Sequence, residues 1–527
     1  MTKLAITNKL TSGNFVAYLL IGLAIAIGIL TRIISLFQYT TFDIGPAPDQ
    51  IRDAFVYMKM LAGNFPTLGQ SSSVGNYSLP PLYYYLVFPA SWFGADPSLQ
   101  VVPNGIFSFL AILLFMVLIY ELLENIPSSK RLLLSGLAGV WYSLIFSEVF
   151  VSTFEWNVSP IPFFLFAFLL LYKRLLEGQA SLAIQAWQWI LYGISLAVII
   201  CLHSTTLFVM PIVFIGSIVV FLVKHRKRSN RWFLPGLGIA SAIITLTPYW
   251  IGEISRRGSN TKKILALIFN RDGQENASSS IGYRLSRIVF NYLELGQQTY
   301  FTKFPWFYGS LGLIFLLLIL FVGIAKFRGN KTILGSLISI WIIYLYAASN
   351  YQKEYVFHYK MVIFFAPILF TVLSLAYVDY KRKFIKQAIT GFLTLGIVIS
   401  CMSNLYFNYL YLDSKFGQHQ TIAIPDVINI LNQLPTGSTI CDPQYIRWRT
   451  QYHVVHYLDT YITKKNFKLS KVCESGNYRI YPKLQYAFLD NNQWPQFNVI
   501  NTKPFEQEAE QFLELPVAYI YRIKNNS

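Results

Sequence analysis

Charge is what this chain of 527 residues most lacks: Asp, Glu, Lys and Arg make up 13% of it, where a soluble domain carries about 25%. With 54% hydrophobic residues, a fold bathed in water on all sides is excluded. Apolar runs of ~20 residues, the length that crosses ~30 Å of hydrocarbon, recur down the chain. Cysteine is scarce as well, with four residues and no CxxC spacing, which argues against a zinc ribbon. No internal repeat or low-complexity tract is present, and no inverted repeat of the kind many transporters carry. The net charge of +18 raises the question of nucleic acid, but the aromatic–basic platform that single strands need is missing. The basic residues fall instead in short gaps between apolar runs, where membrane topology puts them. The run from Phe15 to Phe37 is too long for a signal-peptide h-region and lacks a small-x-small cleavage site, so it reads as an uncleaved first span.

What is present, then, is a polytopic membrane protein. Eleven candidate spans cover approximately 15–37, 104–123, 132–150, 158–172, 187–202, 204–223, 232–250, 307–325, 332–349, 361–379 and 388–411. The stretch 187–223 is too long for one span, and "LHSTT" at 202–206 is its one polar break. Alternate gaps are strongly basic: "SSKR" (128–131), "YKRLLEG" (172–178), "KHRKRSNR" (224–231), "AKFRGNK" (325–331) and "YKRKFIK" (380–386). These are expected at the cytoplasmic face, together with Lys3 and Lys9 at the N-terminus. The opposite gaps "FEWNVS" (154–159) and "HSTT" (203–206) carry no Lys or Arg. Eleven spans then put the C-terminus on the outer side.

Three outer segments are large: 38–103, 251–306 and 412–527. The chain is therefore expected to divide into a transmembrane region over 1–411 and a small extracytoplasmic α/β domain over 412–527. That domain opens with a helical pattern, "IPDVINILNQL", and continues with short strand-like runs such as "FNVIN" and "VAYIYRI". Cys441 and Cys473 lie there, on an oxidising side that permits a disulfide. Two separate thiols are the alternative. Cys201 and Cys401 lie in or at the edge of apolar runs and read as packing residues.

The first outer segment carries the most chemistry. Over 49–62, Ile51, Ala54, Phe55, Met58, Leu61 and Ala62 form one helical stripe, while Asp49, Arg52, Asp53 and Lys59 fall elsewhere. Such a helix lies in the interface, its apolar face against lipid or the bundle. Asp49 stands at its start, after "GPAP", where the positive end of the helix dipole favours an anion. As an N-cap it would contribute ~1 kcal/mol and nothing more. Downstream, "SLPPLYYYLVFPASWFG" fixes an extended turn at Pro80 and Pro81. It also sets Tyr83, Tyr84 and Tyr85 as a tyrosine belt at headgroup level.

The order of these features resembles the GT-C superfamily of polyprenyl-phosphate-sugar-dependent glycosyltransferases. The likeness is to the protein O-mannosyltransferase and lipid A aminoarabinose transferase branch. A first span is followed by Asp-Gln-x-Arg on an amphipathic helix, then Met-Leu-x-Gly, then Pro-Pro-Leu-Tyr-Tyr. "EWNVSPIPFF" (155–164), "LHSTTLFVMP" (202–211) and "FHYKMVIFFAP" (357–367) extend it. The resemblance covers about residues 10–410. It implies an all-α GT-C bundle with juxtamembrane helices in the first outer loop, a polyprenyl-phosphate-linked donor and a glycan, lipid or protein acceptor. It implies residence in a bacterial inner membrane, transfer of a hexosyl or pentosyl unit with inversion, and Asp49 as the catalytic base. Two departures stand out. Gln50 replaces the usual Glu, and Leu79 stands where many members carry the lysine of Lys-Pro-Pro, so another cation must hold the phosphate.

The transfer passes through an oxocarbenium-like transition state. It needs a carboxylate to take the acceptor's proton and positive charge on the departing phosphate. Candidate substrate-binding residues are Arg52, Asp53, Tyr83, Asn157, His203, Arg256, Arg257, Lys353, His358 and Lys360. Each cation among them has a plain alternative, a snorkelling side chain at a span end. Arg32, near the outer end of the first span, is expected to pair with Asp43 or to ligate phosphate. Glu155 and Trp156 neighbour Asn157, which shapes the cavity or caps the fourth span. The superfamily admits a divalent ion, but no ligand set is legible. Three rival classes remain: a transporter, disfavoured because the spans carry almost no mid-bilayer charge, an envelope polysaccharide polymerase or ligase, kept open by the basic loop 251–306, and a binding or scaffold protein without turnover.

Overall fold

A computed structural model describes residues 12–37, 47–72, 76–178, 180–227, 232–269, 281–296, 331–349, 360–377, 383–416, 422–441, 454–487, 498–501 and 509–524, with scattered positions between 299 and 324. It is mostly helical. Helix α1 (Ser12–Gly28) runs on through a wider π-helical turn (Ile29–Ile33) and a tighter 3-10 turn (Ile34–Phe37), and α2 (Ala47–Leu61) and α3 (Leu82–Val87) lie in the connection to α4 (Val102–Leu122). Then follow α5 (Ser128–Leu144), α6 (Phe146–Ser152), α7 (Ile161–Glu177), α8 (Leu182–Leu202) and α9 (Ser204–Lys224). Next come α10 (Phe233–Thr245), α11 (Thr247–Ser255), α12 (Ser259–Phe269) and α13 (Ile281–Gly296). The helical part closes with α14 (Lys331–Ser349), α15 (Phe365–Tyr377) and α16 (Lys383–Phe416).

Among the described residues, five helices are long and apolar enough to cross a membrane, or up to seven if each of two bent pairs counts as one span. The span expected over 307–325 lies largely outside the described residues. Large apolar side chains such as Phe15, Ile215, Ile244 and Met402 point outward. That suits lipid contact and not water. The core is aromatic: Phe115 of α4 packs on Tyr142 of α5 and Phe166 of α7 at 5.0 Å between centroids, and Phe365 of α15 closes the group at 5.4 Å from Phe166.

Two spans expected to be continuous are broken. The chain bends by 60° between α5 and α6 and by 57° between α10 and α11. Pro248 lies in the first turn of α11, where it has no N–H to give and its ring crowds the preceding turn. The first break has no proline. Its orphan backbone groups, which lipid could not satisfy, are taken by side chains. Arg32 donates to Ser143 O at 2.7 Å and Tyr142 O at 3.3 Å, and its Nε to Ser108 Oγ at 2.9 Å. Asn408 donates to Leu144 O at 2.7 Å, and Phe146 N donates to Asn404 Oδ1 at 2.9 Å. Arg32, expected as a phosphate ligand or a partner of Asp43, is thus a fully buried clamp on the end of α5; Asp43 itself lies outside the described residues. The break between α8 and α9 falls at His203, as the polar "LHSTT" requires.

The C-terminal part is an α/β unit. Helix α17 (Ile424–Gln433) precedes β1 (Thr439–Cys441), β2 (Lys468–Ser470), β3 (Tyr478–Pro482), β4 (Leu484–Ala487), β5 (Asn498–Asn501), β6 (Ala509–Glu514) and β7 (Ala518–Ile523). Five strands form one mixed sheet in the order β2-β1-β3-β7-β6, and β4 pairs with β5 separately. β1 runs parallel to β2 and β3; β7 is antiparallel to β3 and β6. Cys441 and Cys473 are joined by a disulfide across a separation of 32 residues. Of the two readings the sequence left open, this is the bonded one. A loop of that size contributes about 3–4 kcal/mol by chain entropy.

Candidate active site

The amphipathic helix predicted from the sequence is α2, and it is buried on more than its apolar stripe. Ile51, Ala54 and Met58 are buried as expected, but so are Gln50, Asp53, Tyr57 and Met60. Asp49 is the third helical residue, after Ala47 and Pro48. It therefore lies inside the first turn, and its Oδ1 accepts from Arg52 Nη1 at 2.8 Å. The side chain is 58% exposed, while Asp53 is wholly buried.

Asp53 is the hub. Arg52 Nε donates to its Oδ1 at 2.8 Å, Tyr84 OH donates to the same oxygen at 2.9 Å, and Gln70 Nε2 donates to Oδ2. Burial raises its pKa, and Arg52, Gln70 and Tyr84 oppose that. Every bond drawn to it comes from a donor, which is the geometry of a carboxylate. Burial would lower the Arg52 pKa, but the charges of Asp53 and Asp49 prevail and raise it.

A second carboxyl lies close by. Glu155, buried in the connection between α6 and α7, accepts from Tyr57 OH at 2.6 Å. Burial and then the Asp53 charge hold its pKa well above the usual carboxylate range. Burial thus raises both carboxyls of this polar cluster, and the Asp53 charge adds to the shift at Glu155. Asn104 of α4 ties the cluster to the same connection, donating to Tyr83 OH at 3.0 Å, Phe154 O at 2.8 Å and Trp156 O at 3.2 Å. Asn157 is buried in that connection. Tyr83 and Tyr84 are therefore not a headgroup belt. α3 packs between α2 and α8, which turns both rings inward, and only Tyr85 is half-buried, with its hydroxyl on Pro66 O at 3.1 Å.

A small hairpin carries Gln70 to Asp53. Gly69 N donates to Leu79 O at 2.7 Å, Leu79 N to Gln70 O at 2.9 Å, and Ser72 N to Tyr77 O at 2.8 Å. A Cβ on Gly69 would lie 2.5 Å from Pro80 O, so no side chain fits there. Asn260 of α12 clamps the hairpin by both amide atoms, donating to Ser78 O at 2.8 Å and accepting from Ser78 N at 2.7 Å. Arg256 donates to Thr67 Oγ1 at 2.9 Å and pairs with Glu253 at 3.3 Å. Arg256 is thus tied to Thr67, three residues before the Gln70 that bonds Asp53. Leu79, where the resembled family has its lysine, is buried.

Nothing in the sequence of family models matches this chain, and no curated protein does. Solved structures do. ArnT from Cupriavidus metallidurans in the apo state superposes with a TM-score of 0.51 at 12% identity, over 95% of this chain and 97% of that one. ArnT from the same organism bound to undecaprenyl phosphate gives 0.50 at 11% identity over the same shares. The fold is of the GT-C type.

Within this GT-C fold the remaining sequence candidates scatter. Arg257 is exposed, in a left-handed backbone conformation (φ 55°) at the turn between α11 and α12. His203 caps α9: its Nδ1 accepts from Thr205 N at 3.3 Å and lies 2.9 Å from Thr205 Oγ1. Burial lowers its pKa to about 4, so it supplies no positive charge. Lys360 is fully buried and paired with Glu294 of α13. Lys353 and His358 lie outside the described residues. No group of three or more His, Cys, Asp or Glu among the described residues is placed to hold a metal ion. Gln70 and Asn104 carried no sequence signal, and Tyr84 was legible only as an anchor.

Proposed function

We propose that this integral membrane protein is a glycosyltransferase moving a sugar from a polyprenyl-phosphate carrier to an acceptor hydroxyl. The observation that carries the reading is the contrast on one turn of α2: Asp49 is solvent-facing and Arg52-bound, whereas Asp53 is buried and fully bonded. Of the two carboxylates, only Asp49 can reach a substrate. The fold it shares with ArnT, a protein seen bound to undecaprenyl phosphate, supports a lipid-phosphate donor. The acceptor oxygen attacks the anomeric carbon as the bond from that carbon to the phosphate oxygen breaks. The acceptor proton passes to Asp49, and polyprenyl phosphate leaves with the bonding electrons. A single displacement inverts the anomeric centre. Arg52 lies beside the base and stabilises the leaving phosphate, with Arg256 as the second cation in place of the lysine that Leu79 replaces.

The reading places the N-terminus in the cytoplasm of a bacterial inner membrane and α2 and the C-terminal unit in the periplasm. Acceptor and sugar stay open. The test is release of undecaprenyl phosphate from a panel of undecaprenyl-phosphate hexoses and pentoses, with solubilised envelope as acceptor. Asp49→Asn should lower kcat by about 10²–10⁴, the span of general-base catalysis, with unchanged insertion and melting. Full activity in that variant sinks the mechanism. The two broken spans favour a second reading, transport, because discontinuous helices build ion sites. At the first break, however, Arg32, Asn404 and Asn408 already occupy the backbone groups a transported ion would use.

A further inference from the structure

Phe55 sits on α2 less than two turns beyond Asp49. Its ring is not against lipid. It lies among three rings of the C-terminal unit: His456 at 5.6 Å, Tyr457 at 5.1 Å edge-on and Tyr461 at 5.8 Å edge-on. Tyr457 and Tyr461 pack on each other at 5.0 Å. Tyr457 also donates its hydroxyl to Ala95 O at 2.7 Å, so one residue grips both α2 and the turn that leads into α4. Edge-to-face pairs have a preferred geometry as well as an area, and the two made by Tyr457 and Tyr461, with His456 tilted beside them, fix the direction of the ring they surround.

The helical stretch over 454–463 that presents these rings is itself firmly held. Val454, Val455 and Leu458 are buried. Asp459 Oδ1 accepts from Thr463 Oγ1 at 2.9 Å and from Lys465 N at 2.8 Å, and its Oδ2 accepts from Phe467 N at 2.8 Å. Lys465 O accepts from Gly437 N at 2.9 Å, and Lys468 N donates to Ser438 O at 3.0 Å. Among the described residues, the path from the sheet to Phe55 is therefore a chain of satisfied contacts. At the other end, α2 is fixed by Asp53. Asp49 is carried by a helix whose Asp53 and Tyr57 are held by Gln70, Tyr84 and Glu155, and whose Phe55 is held by the C-terminal unit.

We propose that the C-terminal unit positions Asp49 through this aromatic clasp, with Phe55 and Tyr457 as positioning residues for sugar transfer. The inference rests on the reading of Asp49 as the base. A shift of ~1 Å at a reacting group costs up to about a hundredfold in rate, so loosening the anchor at Phe55 acts on kcat. Donor binding is spread over the polyprenyl chain and Arg256 and changes less.

The experiment compares the full-length protein with Phe55→Ala, Phe55→Tyr, Tyr457→Ala and Tyr457→Phe. Amide hydrogen exchange over 47–61 is measured without substrate, beside kcat and KM for undecaprenyl phosphate release. Phe55→Ala and Tyr457→Ala should speed exchange over 47–61 about tenfold and leave 128–144 unchanged. In both, kcat should fall roughly tenfold to a hundredfold with KM little altered, and Phe55→Tyr should restore both readouts. If Phe55→Ala does not fold, Phe55→Leu keeps the bulk without the ring and carries the same comparison. The proposal is overturned if α2 exchanges at the native rate in the alanine variants, or if it loosens while kcat holds. A native protein that releases no undecaprenyl phosphate from any donor overturns the assigned reaction, and with it the claim on sugar transfer; the exchange arm still reports the clasp itself.

Discussion

Asp53→Ala is the sharpest test of how α2 is held. Asp53 is wholly buried and receives Arg52 Nε at 2.8 Å, Tyr84 OH at 2.9 Å and Gln70 Nε2. Truncation leaves a buried tyrosine hydroxyl without an acceptor and removes one of the two carboxylates that Arg52 holds. Breaking a buried pair from one side costs about 3–5 kcal/mol. Arg52 is 43% exposed and keeps Asp49, so the lower end, ~3 kcal/mol, is expected. Asp53→Asn keeps one acceptor but sets an amide N–H against donors, and should cost about 2 kcal/mol. Tyr84→Phe should cost ~1 kcal/mol in the native background and close to nothing once Asp53 is alanine. The assay is SDS-driven unfolding in mixed micelles. A cost under ~1 kcal/mol for Asp53→Ala, or an asparagine variant worse than the alanine one, would refute the hub.

Three further outcomes are expected. Glu155 has a folded pKa raised by burial and by Asp53, so its contribution is fully present below the unfolded carboxyl pKa of ~4.3 and is lost as pH rises through the folded value. Glu155→Gln cannot ionise, so melting curves should show it gaining on the native protein by up to ~1.4 kcal/mol per pH unit over that window; a difference flat in pH contradicts the assignment. Reduction of Cys441–Cys473 should open residues 439–523 to limited proteolysis while the helices stay resistant, and equal resistance with and without reductant would deny the bond its role. Arg32→Met should leave Ser143 O without its 2.7 Å donor at the α5–α6 break and cost about 1–3 kcal/mol in the same micelle assay. Loss of donor affinity alone, with native stability, would return Arg32 to the phosphate site.

Much of the architecture was legible because lipid imposes a coarse rule: long apolar runs with basic gaps become helices, and the break at His203 was marked by "LHSTT". The C-terminal helix and the β7 run were legible by period. The site was legible only in part. Asp49 and Arg52 stand out because charge is rare here, and their contact is local, one helical turn. Asp53 looked equally polar, yet it is buried, because what covers it comes from residues 70 and 84. The Tyr83–Tyr85 run read as a membrane belt because composition at an interface looks the same whether the rings face lipid or a polar core. Lys360 read as a headgroup cation because its partner, Glu294, lies far away in the chain.

By itself the amino-acid sequence determined that the protein belongs in a bilayer, that its long apolar runs become helices, and that one carboxylate lies in the first turn of an amphipathic helix after the first span. These follow from local quantities: the hydrophobicity of a window and the period of a pattern. Only the tertiary structure decided which of two aspartates is buried, that Glu155 lies close to Asp53, that Arg256 bonds Thr67, and that Phe55 is gripped by the C-terminal unit. Those outcomes depend on contacts between distant segments, and the free energy of burying a charge is set by whatever the fold brings to meet it.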